Sequence, residues 1–287
     1  MWGKLSDFLP ERIGKYEFVR RIHAGQSDEK KAVYRDNGNE VMVKLGAGKD
    51  KLSREYENQK QFYRLFREKP EAGIVIPKPI SLEEVNGEYA LIMEYLSDYQ
   101  GITDLEVNAR VEVYARIISF LKRSTVPAGL RKISSVYQAI SLPYFLLMNV
   151  LTYPSQKSVI LKAFLKILIN LPKWLTLSHK TLCQGDLNVM NIMVSANKLA
   201  FLDFSQACVS HEYLNPAQAL NSSWRETGFG EILWGRLSGE MGFSSREKNI
   251  LRSFMLYNLM QRLCKRYEDP KQEEHYFNKM KNLIRKI

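Results

Sequence analysis

The sequence predicts an α+β protein with a small antiparallel-sheet N-terminal lobe carrying one helix, followed by a larger, mainly helical C-terminal lobe. Three observations predict it. Short alternating runs broken by Asn-Gly turns dominate the chain up to residue 97, a single amphipathic stripe of helical period interrupts them, and beyond 97 the apolar spacing becomes helical. The expected division is a nucleotide-binding lobe over 1–96 and a catalytic and acceptor-binding lobe over 97–287, with a cleft between.

Segments 16–22, 31–35 and 40–45 read as strands. Asp36-Asn37-Gly38-Asn39 joins the last two as a hairpin, because Asn and Gly accept positive φ. A helix follows over 51–66, where Leu52, Tyr56, Gln59, Phe62, Tyr63 and Phe66 share one stripe. After Ile74-Val75-Ile76 and the break at Pro77-Lys78-Pro79, segments 80–84 and 89–95 flank a second Asn-Gly turn. Asp104 is expected to cap a helix running to Arg123. Residues 133–156 carry no charge and are long enough to cross a bilayer. Gln138, Asn149, several serines, Pro143 and Pro154 favour instead a pair of short helices, buried or attached to a surface. Residues 158–171 form a helix with lysines at 162 and 166 in an apolar run, read either as a core helix or as a basic membrane-facing one. Ser244 and Glu247 make a capping box for a helix to 267, and Asp269-Pro270 opens the last helix.

The 287 residues carry a net charge of +11. Val113 to Gly185 contains no Asp or Glu but ten Lys or Arg, so the excess is local; outside it the two signs nearly balance. Such a field attracts anions: nucleotide, phosphorylated sugar, nucleic acid or anionic lipid. Cys183, Cys208 and Cys264 give neither a disulfide framework nor a metal cluster, and suit a reducing compartment. The N-terminal segment lacks a long apolar run, so no ordinary signal peptide is expected, and the expected location is the cytoplasm or the inner face of its membrane.

Chemistry concentrates between 184 and 203. Asp186 and Asn191 lie five apart on a loop, a hairpin over 192–202 follows, and Asp203 ends its second strand. That order suits one carboxylate beside a hydroxyl nucleophile and an Asn/Asp pair on a divalent cation. The first lobe offers the opposite charge: Lys44 in a strand, with Glu55 in the next helix as its natural partner, could hold two phosphates of a nucleotide. His23-Ala24-Gly25-Gln26-Ser27-Asp28 could fold over phosphates through its backbone N–H groups, although it has a single glycine. His179 and His211 read as structural histidines, and the methionines as core filler.

Lys44, Glu55, QGDLNVMN at 184–191 and LDF at 202–204 together resemble the aminoglycoside phosphotransferase and choline kinase-like superfamily, distant relatives of the protein kinases, over roughly 16–204. The resemblance implies a bilobal protein-kinase-like fold using ATP and Mg²⁺. It implies Asp186 as the catalytic carboxylate, Asn191 and Asp203 as Mg²⁺ ligands, and Lys44 as the phosphate lysine held by Glu55. Gly25, Gln26 and Ser27 would form the nucleotide loop, and Glu94, Tyr95 and Leu96 the hinge that meets adenine. Gln184 stands where the family carries a His that organises the loop, and Gln can hydrogen-bond there too. The acid of a later helical segment is not evident in HEYLNPAQALNSS, which offers only Glu212.

The expected activity is therefore an ATP- and Mg²⁺-dependent kinase acting on a hydroxyl of a small molecule or glycan. The acid-free block favours an anionic or lipid-linked sugar over a cationic acceptor, and is compatible with peripheral membrane contact without a transmembrane span. A protein kinase is an alternative, disfavoured because Asn188 occupies the position of the usual Lys. A catalytically idle kinase-like binding module is another, motivated by Gln184 and the glycine-poor loop. No nucleic-acid-binding motif accompanies the charge.

Overall fold

Asn37 and Gly38 have φ of +46° and +83°, the backbone of a two-residue type I′ turn, and they set the register of the first sheet. The computed structural model describes all residues except 1–8, 23–28, 47, 69–72, 197, 223–227 and 265–269. The chain divides into two compact units, one of residues 1–104 with 190–207, the other of 105–189 with 208–287.

The first unit holds strands β1 (Arg12–Ile13), β2 (Tyr16–Ile22), β3 (Lys30–Asp36), β4 (Asn39–Gly46), helix α1 (Lys49–Arg67), and strands β5 (Ile74–Val75), β6 (Pro79–Val85), β7 (Glu88–Glu94) and β8 (Gln100–Gly101). An antiparallel sheet runs in the order β1-β2-β3-β4-β7-β6. Asn86 and Gly87 repeat the positive-φ pair between β6 and β7. Alternation along β4 sends Val41, Val43 and Leu45 into a cluster with Tyr34, Ala90 and Ile92, while Met42 packs with Leu52, Leu91 and Met93. Two strands from late in the chain, β10 (Ile192–Ser195) and β11 (Lys198–Phe201), complete a second sheet in the order β5-β11-β10-β8. The unit is thus discontinuous in sequence, whereas a single cut near residue 97 would leave it contiguous.

The second unit is mainly helical: α2 (Val107–Arg123), α3 (Ser135–Thr152), α4 (Lys157–Leu175), α5 (Leu214–Ser222), α6 (Phe229–Glu240), α7 (Ser245–Arg262) and α8 (Pro270–Lys286). Strands β9 (Thr181–Cys183) and β12 (Cys208–Ser210) pair antiparallel within it. The small antiparallel-sheet unit with one helix and the larger helical unit make the expected bilobal α+β architecture.

Local details differ from expectation. Asp104 lies in a short 3-10 turn, and Glu106 occupies the N-cap position of α2 without a side-chain cap. Residues 135–152 form one helix, not two. Pro143 is inside it but on the exposed side, where the carbonyl freed at Ala139 costs less than it would in the core. Helix α4 runs on through Pro172 to Leu175, held by Trp174, which stacks on Phe254 at 3.9 Å and donates to Ser253 Oγ at 2.8 Å. Helix α7 opens on the full Ser244–Glu247 capping box and ends at Arg262. The Asp269 cap lies outside the described residues, and Pro270 begins α8.

Candidate functional site

Within the first unit, Lys44 is 2% exposed and Glu55, on the buried stripe of α1, is 1% exposed. They form a direct ion pair through Glu55 Oε1, and Asp203 Oδ2 lies 3.9 Å from the same ammonium. Burial pushes the ammonium down, but Glu55 and Asp203 outweigh it and hold Lys44 above its usual range. Burial pushes the Glu55 carboxyl up, against the pull of Lys44. Glu55 Oε2 is buried with no hydrogen-bond partner among the described residues.

Asp203 follows β11 with φ of +58°, unusual for a residue other than glycine. Its Oδ1 accepts from Ser205 Oγ at 2.7 Å and from Ser205 N–H at 3.3 Å. Burial raises its carboxyl, yet the Lys44 charge and the two Ser205 bonds win and hold it below the usual carboxylate range. The adjacent Phe204 is pinned by Phe62, 4.9 Å away between ring centroids, and by Asn58, which donates to the Phe204 carbonyl at 2.8 Å. The Asn191 carbonyl accepts from Leu202 N–H at 2.9 Å, which brings Asn191 beside Asp203 at the base of the β10–β11 hairpin. A carboxylate and an amide oxygen are hard donors of the kind Mg²⁺ takes, so this pair fits the ion the resemblance implies.

Lys31 was not foreseen. It sits directly opposite Lys44 in the β3–β4 register and is half-buried. Burial, then the Lys44 charge, lowers its pKa. Opposed like charges destabilise a sheet unless an anion joins them.

The remaining first-unit expectations are placed less distinctively. Glu94 ends β7, where its N–H donates to the Lys78 carbonyl at 2.9 Å and its carboxylate accepts from Lys78 N–H. The Arg20 guanidinium lies 5.2 Å from the Tyr95 ring centroid and donates to its hydroxyl. The Leu96 carbonyl accepts from Tyr99 N–H. Gly25, Gln26 and Ser27 lie outside the described residues.

In the second unit Asp186 follows β9 on a loop. Gln184 is buried, and its Oε1 accepts the Asp186 N–H at 2.8 Å, so the amide orders the loop. Gly185 has φ of +95°, and its carbonyl accepts from Gln218 of α5 at 2.5 Å. Asn215, one turn earlier on α5, donates to the Leu182 carbonyl at 2.9 Å. Two amides therefore anchor the loop in place of the later helical acid that the resemblance implies; Glu212 instead pairs with Lys122. Asn188 Nδ2 donates to Asp186 Oδ2 at 2.7 Å, and Arg262 of α7 reaches Asp186 Oδ1 at 3.3 Å. Lys279 of α8 donates to the Leu220 carbonyl, and burial followed by the Arg262 charge brings its pKa down to about 8. Only long-range packing reveals Arg262 and Gln218; the sequence around them carries no motif.

His211 is buried, stacked on Phe254 at 3.9 Å and bonded to Gln138, and burial drives its pKa down to about 3. His179 bonds Ser135. Among the described residues, no three His, Cys, Asp or Glu side chains gather as a metal cluster. Cys183 and Cys208 face each other across β9 and β12 as buried free thiols.

The phosphotransferase enzyme family model matches residues 19–240. The chain belongs to that family. Its fold is that of the aminoglycoside phosphotransferase and choline kinase-like group. It is similar to a thermostable mutant of aminoglycoside phosphotransferase APH(4)-Ia in ternary complex with AMP-PNP and hygromycin B, with 12% identity, 96% of each chain covered and a TM-score of 0.73. A microcompartment-associated aminopropanol kinase is similar at 11% identity, covering 94% of this chain and 92% of that one, with a TM-score of 0.67. Choline kinase LicA from Streptococcus pneumoniae is similar at 12% identity, covering 92% and 94%, with a TM-score of 0.58. No curated protein sequence matches.

Proposed function

We propose that this phosphotransferase moves the γ-phosphoryl group of ATP to a hydroxyl of an anionic small molecule or glycan, lipid-linked sugars included. The observation that carries the proposal is the buried Lys44–Glu55 pair with Asp203 3.9 Å from the ammonium. Burying an ammonium that deeply is costly, and a phosphate-binding role explains why an apolar residue does not stand there. Glu55 would fix Lys44 on the α- and β-phosphates, and Lys31 would add charge beside it. Asn191 and Asp203 would hold Mg²⁺, which when bound supplies charge neutralisation for the phosphates. Glu94, Tyr95 and Leu96 would meet adenine through their backbone, and Gly25, Gln26 and Ser27 would cover the phosphates.

Asp186 would accept the acceptor proton as the hydroxyl oxygen attacks phosphorus, the bond from the γ-phosphorus to the bridging oxygen breaks, and ADP leaves. Gln184 and Gln218 would hold the loop that aims Asp186, as the family's His does. Arg262 and Lys279 favour an anionic acceptor: a cationic amine would meet repulsion, whereas an acceptor phosphate could draw Arg262 from Asp186.

The test is transfer of radiolabelled γ-phosphate with Mg²⁺ into fractionated lipid, glycan, protein and small-molecule pools, with Asp186→Asn as control. Label in one pool that disappears in the variant would establish the kinase and its substrate class. A mutant-sensitive protein pool would favour a protein kinase. Absence of mutant-sensitive label from every pool would favour an idle kinase-like binding module.

A further inference from the structure

Helix α3 is built inside out. Its buried positions are Ser135, Gln138, Leu142 and Asn149, three of them polar. Each polar one has a partner in the same unit: Ser135 with His179, Gln138 with His211, and Asn149 with the Met260 carbonyl at 2.8 Å. The opposite face carries Val136, Tyr137, Ile140, Tyr144, Leu147 and Leu151, all exposed, with Ile140 at 73% and Leu151 at 66%. Their spacing of three and four residues draws one straight apolar row about 22 Å long. A solvent-facing helix ordinarily puts charges on that side. Here the helix has none anywhere along its length.

Helix α4 packs beside α3 and extends the surface. It buries Ile160, Ala163, Ile167 and Trp174, yet Leu161, Leu165, Leu168, Ile169 and Leu175 remain exposed. Its only charged residues are lysines. Lys162, Lys166 and Lys173, at i, i+4 and i+11, line one flank of the exposed apolar row. At the other end of the surface, the Arg131 guanidinium covers the half-exposed Tyr137 ring, 5.2 Å from its centroid. Acids appear where the surface stops: Glu273 of α8 accepts the Tyr153 hydroxyl beyond the end of α3. Eleven exposed large apolar side chains on two adjacent helices exceed the scattered exposure normal for a monomer.

We propose that the α3–α4 face docks on an anionic lipid bilayer, lying in the interface with its apolar row among the acyl chains and its lysines at the headgroups. Three features commit the surface to that occupant. The charge around it is of one sign, complementary to anionic headgroups, and two copies joined through the same face would set lysine row near lysine row. Tyr137 and Tyr144 offer the apolar body and polar tip that suit the membrane–water boundary. No described helix is long and apolar enough to cross a membrane, so contact is along the surface. The docking is independent of the assigned catalytic residues: a bilayer would be bound whether or not phosphate is transferred.

The experiment is flotation of the full-length protein with phosphatidylcholine vesicles and with vesicles of phosphatidylcholine and phosphatidylglycerol, three to one. The protein is expected to float with the anionic vesicles and to lose that binding as salt is raised. Lys162→Gln with Lys166→Gln should weaken binding roughly 25-fold, at about fivefold for each lysine near the headgroups. Ile140→Ser with Leu147→Ser and Leu165→Ser alters only exposed side chains. It should abolish flotation while leaving the melting temperature and the shift on adding Mg-ATP unchanged. Failure to float with anionic vesicles, or flotation of this triple variant like the parent, would overturn the proposal. So would vesicle-independent dimerisation in sedimentation that the triple variant abolishes, because the face would then belong to a second copy.

Discussion

Replacing Lys44 by Met keeps the length of the side chain and removes its charge, leaving Glu55 at 1% exposure without its direct ion-pair partner. At such depth solvent screens almost nothing, so the cost falls in the range for breaking a buried pair, about 3–5 kcal/mol. Loss of the Lys44 attraction on Asp203, 3.9 Å away, adds to it; half-buried Lys31, opposite Lys44, offsets part. A net loss of about 3 kcal/mol, with a urea slope of about 3 kcal/mol per molar, lowers the urea midpoint by roughly 1 M. The effect has a pH signature. With Lys44 gone, the largest attraction opposing burial is lost, only the more distant Lys31 charge remains, and the folded Glu55 carboxyl sits above its unfolded value. A raised carboxyl contributes stability at low pH that is lost as pH rises through the folded value, so the variant's deficit should be larger at pH 8 than at pH 5. The double change Lys44→Met with Glu55→Leu should recover most of the loss without recovering nucleotide binding. A single Lys44→Met variant as stable as the parent at pH 8, or a deficit that does not shrink on acidification, would refute the argument that Glu55 depends on Lys44.

Other outcomes follow from the second unit. Gln218→Leu removes the donor to the Gly185 carbonyl and should cost about 1–3 kcal/mol in chemical denaturation, with turnover falling more than nucleotide affinity. Trp174→Ala empties the space stacked on Phe254 and should lower stability by about 3–5 kcal/mol, measured the same way. His211 has a depressed folded pKa of about 3, so its contribution is whole above the ordinary value of 6.5 and is lost as pH falls towards 3. His211→Gln, which retains a donor for Gln138, should flatten the acid limb of the stability curve by about 1.4 kcal/mol per pH unit below 6.5.

The hairpins were legible because their determinants are local: Asn37-Gly38 and Asn86-Gly87 admit the turn and little else. That turn even encodes Lys31, since pairing Asp36 with Asn39 places 31 across from 44. Lys44 and Glu55 could be paired from alternation in a strand and periodicity in the helix after it. The supports of Asp186 were not legible. Gln184, Asn215 and Gln218 are neutral amides whose meaning appears only when α5 packs under the loop, and Arg262 is 76 residues from its partner. Periodicity also misleads about direction. In α3 a strong apolar row suggests a buried face, yet polar Gln138 and Asn149 take the interior because His211 and the end of α7 supply their partners.

The discontinuous make-up of the first unit has a bearing on synthesis. When residue 104 leaves the ribosome, β5 and β8 have no sheet to join, because β10 and β11 have yet to be made. Asn58 lacks the Phe204 and Ala207 carbonyls that it bonds in the finished chain, and Phe62 and Phe66 lack Phe204 and Phe201. At about 5–20 residues per second, the wait until residue 207 lasts roughly 5–20 s. Through that interval the nascent antiparallel sheet must survive as an unfinished layer with one aromatic flank open, which makes this stretch of translation the time when a chaperone would matter most.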